Sequence, residues 1–198
     1  QEAAEAPLMT RYTGGKVQSR SATLAINMRG GGGFEIWQYT SRSTEPPRFT
    51  PTLGDFGIYI CKLHCSNVAK AHKMHREAGV KVLTDVQADP AGTPHYLIED
   101  PFGNLFQVIE TTFQFGSTET PFGGVYGAII GVSDMEKSLK FYNNVLGFTT
   151  IVYDHASVAD LEIVPGTANA RFRRVCLTRN EAFKGPFSPL LGSACIEL

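Results

Sequence analysis

Apolar and polar residues alternate along this chain in a pattern that occurs twice. From Ile60 to Val80 a short apolar run leads into a polar cap, an amphipathic stretch, a glycine and a second β-branched run. The segment from Gly127 to Phe148 follows the same plan, with Cys65-Ser66-Asn67-Val68 falling on Val132-Ser133-Asp134-Met135 and Gly79 falling on Gly147. In the later copy Met135, Leu139, Tyr142 and Leu146 make one stripe at helical spacing, and Ser133 with Glu136 has the spacing of a capping box. The earlier helix is weaker, with Val68, Ala71, His75 and Ala78 on its inner face. Each glycine suits the left-handed residue that ends a helix, and the runs Val80–Val82 and Thr149–Val152 read as strands.

The rest of a unit is clearest between His95 and Glu110. Two strand-like runs, His95–Glu99 and Leu105–Glu110, flank Asp100-Pro101-Phe102-Gly103-Asn104, which has turn chemistry at each point. The runs Gly33–Tyr39 and Ala194–Leu198 resemble the closing strand of this unit and carry Glu35 and Glu197 where the complete copy has Gln107. The fold class expected is therefore α+β, with repeated βαβββ modules pairing into an open, cup-shaped mixed β-sheet. Residues 1–43 would hold the last strands of an incomplete first module, 55–115 a complete second, and 122–198 a third. The headless first module implies a fragment or a segment upstream of the numbering, and the odd number of modules implies a partner surface, as in a homodimer.

Composition narrows the function. A net charge of −1 gives no reason to expect nucleic acid or an anionic membrane as partner. No apolar run approaches the ~20 residues that cross a bilayer. The start, Gln-Glu-Ala-Ala-Glu-Ala, is unlike a signal peptide, so a cytoplasmic location is expected. Cys61 and Cys65 have no second pair at zinc spacing and read as small buried hydrophobes in a reducing compartment. Gly30–Gly33 reads as a flexible hairpin rather than a phosphate loop, since no Lys-Ser/Thr or helix follows. His72, His75 and His95 read as surface residues. The basic cluster of Arg171, Arg173 and Arg174 reads as a solvated edge, or as one that aims Arg171 and Arg173 at an anion.

Gly131-Val132-Ser133-Asp134-Met135-Glu136-Lys137-Ser138-Leu139-Lys140-Phe141-Tyr142, followed by Leu146-Gly147-Phe148, resembles the opening strand and helix of the vicinal oxygen chelate (glyoxalase/bleomycin-resistance/dioxygenase) superfamily. Asp100–Leu105, ending in Glu110, is similar to that family's penultimate hairpin. The resemblance implies a cup with a divalent metal (Fe, Mn, Ni or Zn) on its floor, held by residues of each module's opening and last strands. Carried onto this sequence, the opening-strand positions fall near Ile60 and on Gly127, which cannot bind metal. The last-strand positions fall on Glu35, Gln107 and Glu197.

Glu35 and Glu197 are thus the expected metal ligands, with Glu35 as ligand or general base. Strand alternation adds Lys62, His64 and Gln107, and in the first module Trp37 and Tyr39, as substrate contacts. The function this implies is metal-assisted lyase, isomerase or ring-cleaving chemistry on a small oxygen-rich substrate. The alternative is a metal-free protein that sequesters a small planar molecule.

Overall fold

The computed structural model describes residues 2–168, 170–179 and 185–198. Its contacts divide the chain into two compact units: residues 1–26 with 33–50, and residues 27–32 with 51–198. The first unit is a three-stranded antiparallel sheet of β1 (Ala4–Glu5), β2 (Ser19–Ala25) and β3 (Phe34–Tyr39), in that order. Arg20 stacks its guanidinium over the Trp37 ring at 3.4 Å.

The second unit runs β4 (Gly57–Cys65), α1 (Val68–Glu77), β5 (Lys81–Val82), β6 (Gln87–Ala88), β7 (Pro94–Glu99) and β8 (Leu105–Glu110). It continues with β9 (Phe122–Gly131), α2 (Met135–Asn144), β10 (Thr150–His155), β11 (Arg174–Thr178), α3 (Ser188–Leu191) and β12 (Cys195–Glu197). These strands form one open mixed sheet in the order β10-β11-β12-β9-β4-β8-β7-β5, with β6 on β7. Each opening strand lies parallel to the closing strand of its own repeat, β4 to β8 and β9 to β12. The two repeats join where β4 meets β9 antiparallel, so both belong to one continuous sheet.

The helices form where the periodicity places them, with one shift. Asp134, not Ser133, caps α2 by accepting from the Lys137 N–H at 3.0 Å, which frees Glu136 to pair with Arg173 at 2.6 Å. Met135, Leu139 and Tyr142 pack beneath Val175, Leu177 and Leu198. On the other repeat, Val68 and Ala71 of α1 pack with Tyr96, Ile98 and Val108. Helices therefore cover one face of the sheet, and strand alternation turns Ile60, Lys62, Leu97, Gln107, Cys176 and Glu197 to the opposite, concave face.

One expectation changes here. Gly30–Gly33 is not a free hairpin. Gly32 bridges to Val125, the Gly124 N–H donates to the Gly30 carbonyl at 2.7 Å, and the Gly31 N–H donates to the Leu190 carbonyl. A Cβ on Gly31 would sit 2.8 Å from Gly124, and its φ of +101° excludes most other residues. Arg29 anchors this strap by donating to the Thr118 and Thr120 carbonyls and to the Gln114 side chain. A loop with a 3₁₀ turn at Ala159–Leu161 lies against the sheet. Leu161 and Val164 pack there on Ile60, Leu97, Leu105 and Ile129.

Candidate functional site

Register decides which residues meet at the cup floor. Lys62 stands opposite both Gln107 on β8 and Gly127 on β9, while Cys195 and Glu197 stand opposite Gly127 and Ile129. The opening-strand position facing each closing-strand polar residue is therefore Lys62 in one repeat and Ile129 in the other, two residues beyond the positions expected from sequence.

Lys62 and Glu197 are both fully buried, and the ammonium lies 2.5 Å from the Glu197 carboxylate. The other Glu197 oxygen accepts from Arg174 Nε at 2.6 Å, and Arg174 grips Asp160 with its two terminal nitrogens at 2.5 and 3.0 Å. His95 Nε2 lies 3.5 Å from the far Asp160 oxygen. The chain Lys62–Glu197–Arg174–Asp160 alternates in sign and sums to zero. That balance is what allows four charges to lie out of water. It also crosses the repeats, since Lys62 belongs to the first helix-bearing repeat and Glu197 and Arg174 to the second.

The electrostatics follow. Burial pushes the Lys62 ammonium down, but Glu197 overrides this and holds the pKa above its ordinary value. Burial pushes Glu197 up, and Lys62 and Arg174 together hold it below the usual carboxylate range. Asp160 is brought to about 2, with His95 and Arg174 outweighing its burial.

A carboxylate with a depressed folded pKa adds stability that is present above its unfolded pKa, here 3.8, and is lost as pH falls through the folded value. For Asp160 this is roughly 2 kcal/mol. Asp160→Asn should therefore lower the urea midpoint at pH 7, and its gap to wild type should shrink as pH falls from about 4 to about 2. A gap that stays constant to the acid end would mean that Asp160 is not held as an ion.

Beside this network is a cleft of about 790 Å³. Lys62, Tyr126, Cys176, Cys195, Thr93 and Phe113 are among the residues that line it. Lys62 carries three donors, of which Glu197 takes one. Gln107, next to Lys62 on the same face, is fully buried and its carboxamide has no hydrogen-bond partner in the protein. Such a group is costly unless something in the site bonds to it.

The other residues singled out by sequence are placed as follows. His64 is buried on β4, but its Nε2 bonds the Gly30 carbonyl at 2.7 Å and its Nδ1 lies 3.3 Å from the Thr111 hydroxyl, so the ring serves the strap. Gly123 lies under that ring, where a Cβ would sit 2.2 Å from it. Glu35, Trp37 and Tyr39 are on β3 of the first unit, with Glu35 exposed, Trp37 under Arg20 and Tyr39 under Arg42. A shallow cleft of about 350 Å³ in that unit is lined by Arg20, Glu35 and Trp37.

Three members of the floor network were not anticipated. His95, expected at the surface, is buried, and Arg174 turns inward while Arg173 faces solvent between Glu136 and Asp154. Alternation with Leu97 and Cys176 carried both placements. Asp160 comes from a loop and has no periodic signal.

The floor does not fit a divalent metal. The Glu197 carboxylate is already held by an ammonium and a guanidinium, that of Asp160 is gripped by the same guanidinium, Ile129 is the residue opposite Glu197, and the remaining donor is the neutral Gln107 amide. A dication there would face two fixed cations. Among the described residues no group of three or more His, Cys, Asp and Glu side chains could hold a metal ion.

Comparison with known proteins identifies the architecture. Residues 125–181 match the family model of the Glyoxalase/Bleomycin resistance protein/Dioxygenase superfamily. Among solved structures, a glyoxalase I mutant from Zea mays superposes with a TM-score of 0.55 at 16% identity, covering 91% of this chain and 54% of that one. A putative dioxygenase from Bacillus subtilis superposes with a TM-score of 0.53 at 15% identity, covering 91% and 51%. The chain thus spans about half the length of these structures. No curated protein matches it. The superfamily resemblance read from the motifs is the one that both the family model and the fold carry.

Proposed function

We propose that the second unit, a cup of the glyoxalase type, binds a small planar organic molecule carrying a carbonyl or carboxylate group, and holds it on the Lys62 ammonium rather than on a divalent metal. The observation that supports this is the buried Lys62–Glu197 pair, which fixes an ammonium with donors to spare between opening and closing strands, where the superfamily resemblance calls for a metal. The ammonium offers donors to a ligand oxygen, the Gln107 amide stands beside it, and Tyr126 and Phe113 supply aromatic wall. Such a floor can also stabilise negative charge that develops on an enolate oxygen, which suits isomerase or lyase chemistry without metal. The names of the structural neighbours, a glyoxalase and a putative dioxygenase, agree with a small oxygen-bearing ligand.

Calorimetry with benzoylformate as probe tests the reading. Binding should be indifferent to EDTA and should weaken about tenfold or more in a Lys62→Met/Glu197→Leu protein, which keeps the buried charge balanced. Metal analysis of protein purified without chelator should find no stoichiometric divalent ion. One equivalent of bound metal whose removal abolishes binding would restore the metalloenzyme reading.

A further inference from the structure

Two nucleophilic side chains in the cup have no part in the ion network. Cys176, in the middle of β11, and Cys195, the first residue of β12, turn to the concave face and line the same cleft as Lys62 and Tyr126. Thr178 pairs with Cys195 and Cys176 with Glu197, so the two cysteines are diagonal neighbours on adjacent strands. They pack together with Tyr126 and Tyr153, and neither is in a disulfide.

Gly127 brings the third group in. It stands between Lys62 on β4 and Cys195 on β12, and a Cβ there would lie 2.7 Å from the Cys195 sulfur. Its missing side chain leaves ammonium and sulfur on either side of bare backbone. The neighbouring Cys176, with help from Lys62, draws the Cys195 pKa down against its burial. Burial instead pushes Cys61 up to about 11 and Cys65 up to about 12. The four cysteines are thus unequal: Cys176 and Cys195 face the cleft, and of these Cys195 is the one that stands across Gly127 from Lys62.

We propose that Cys195, with Cys176 beside it and Lys62 across Gly127, is a covalent capture site for α,β-unsaturated carbonyl compounds that enter the cup. The inference takes its ligand from the cup proposed above. The Cys195 thiol gives its proton to water and its sulfur bonds the β-carbon; the C=C pair shifts to the α-carbon–carbonyl bond, the C=O pair moves to oxygen, and the Lys62 ammonium stabilises that enolate oxygen. Water in the open cleft then protonates the α-carbon, replacing the proton that the thiol gave up. No oxidant or reductant enters.

Alkylation of the native protein by methyl vinyl ketone at pH 7, followed by intact mass and peptide mapping, tests the site. The first equivalent should fall on Cys195, about tenfold faster than on the same protein unfolded in guanidinium chloride, and Cys195→Ser should lose it. Cys176→Ala, which removes the neighbouring thiol and keeps the charge network, should slow the reaction without moving it. A first equivalent on Cys61, Cys65 or Cys176, or a Cys195 rate no higher than in the unfolded chain, would overturn the proposal. If benzoylformate binds while alkylation misses Cys195, the cup stands and the capture site falls. Alkylation of Cys195 without benzoylformate binding supports the thiol site and removes the ammonium reading.

Discussion

Glu197→Ala should cost about 3–5 kcal/mol of stability at pH 7, read as a large fall in the urea unfolding midpoint. Arg174 keeps Asp160 and the Ser157 carbonyl, but Lys62 loses the one carboxylate it is paired with and remains fully buried. An ammonium in that position must deprotonate, draw in water or open the sheet between β9 and β12. Any of these costs several kilocalories per mole. Lys62→Met alone should be damaging in the mirror sense, since it leaves Glu197 with Arg174 only. The double replacement Lys62→Met/Glu197→Leu removes one charge of each sign and should recover most of the loss, because apolar groups of similar volume can replace a buried ion pair at little cost. The double-mutant cycle therefore carries the assignment. A Glu197→Ala cost under about 1 kcal/mol would mean that the floor is hydrated and the pair solvated.

Gly127→Ala should be the other severe substitution, for a steric reason. Its Cβ would lie 2.1 Å from the Cys195 carbonyl oxygen and 3.0 Å from the carbonyl carbon, which are backbone atoms of β12 and cannot rotate away. Relief requires β12 to leave β9, and β12 carries Glu197, so the strain reaches the ion network. A loss of about 3 kcal/mol or more is expected, or a drop in melting temperature on the order of 10 °C. Gly103→Ala is the control. Its φ of +85° disfavours a side chain, but nothing lies within 4 Å, so only the cost of a left-handed alanine, about 1 kcal/mol, should appear. Equal effects at the two positions would show that β12 adjusts freely.

The sequence carried the architecture because the architecture is periodic. The stripe Met135, Leu139, Tyr142, the glycines Gly79 and Gly147, and the Asp100–Asn104 turn each have a local physical cause, and each is where the pattern puts it. Even there Asp134 took the cap from Ser133, a choice between adjacent good caps that spacing alone does not decide. The floor of the cup was legible only in part. Alternation put Lys62 and Gln107 on one face, and both line the floor. It could not say that Lys62 meets Glu197, since that contact spans about two thirds of the chain and depends on β4 pairing with β9. Arg174 was legible in parity with Cys176 but hidden in the basic cluster with Arg171 and Arg173. Asp160 had no pattern to betray it, because a loop residue gains its burial entirely from what it packs against.

The strap at residues 27–32 bears on how separable the parts of this chain are. Residues on either side of it belong to the first unit, yet Arg29, Gly30 and Gly32 are bonded into the second. The polypeptide therefore passes between units three times, and no single cut parts them. A cleavage between Thr50 and Pro51 would strip the second unit of its own guanidinium clamp, while excision of the strap would sever the first unit's sheet between β2 and β3. Exchange of either unit by recombination would need three breakpoints, placed within a few residues of Ile26, Gly33 and Thr50. The two units are thus interleaved in sequence, and they would be inherited together.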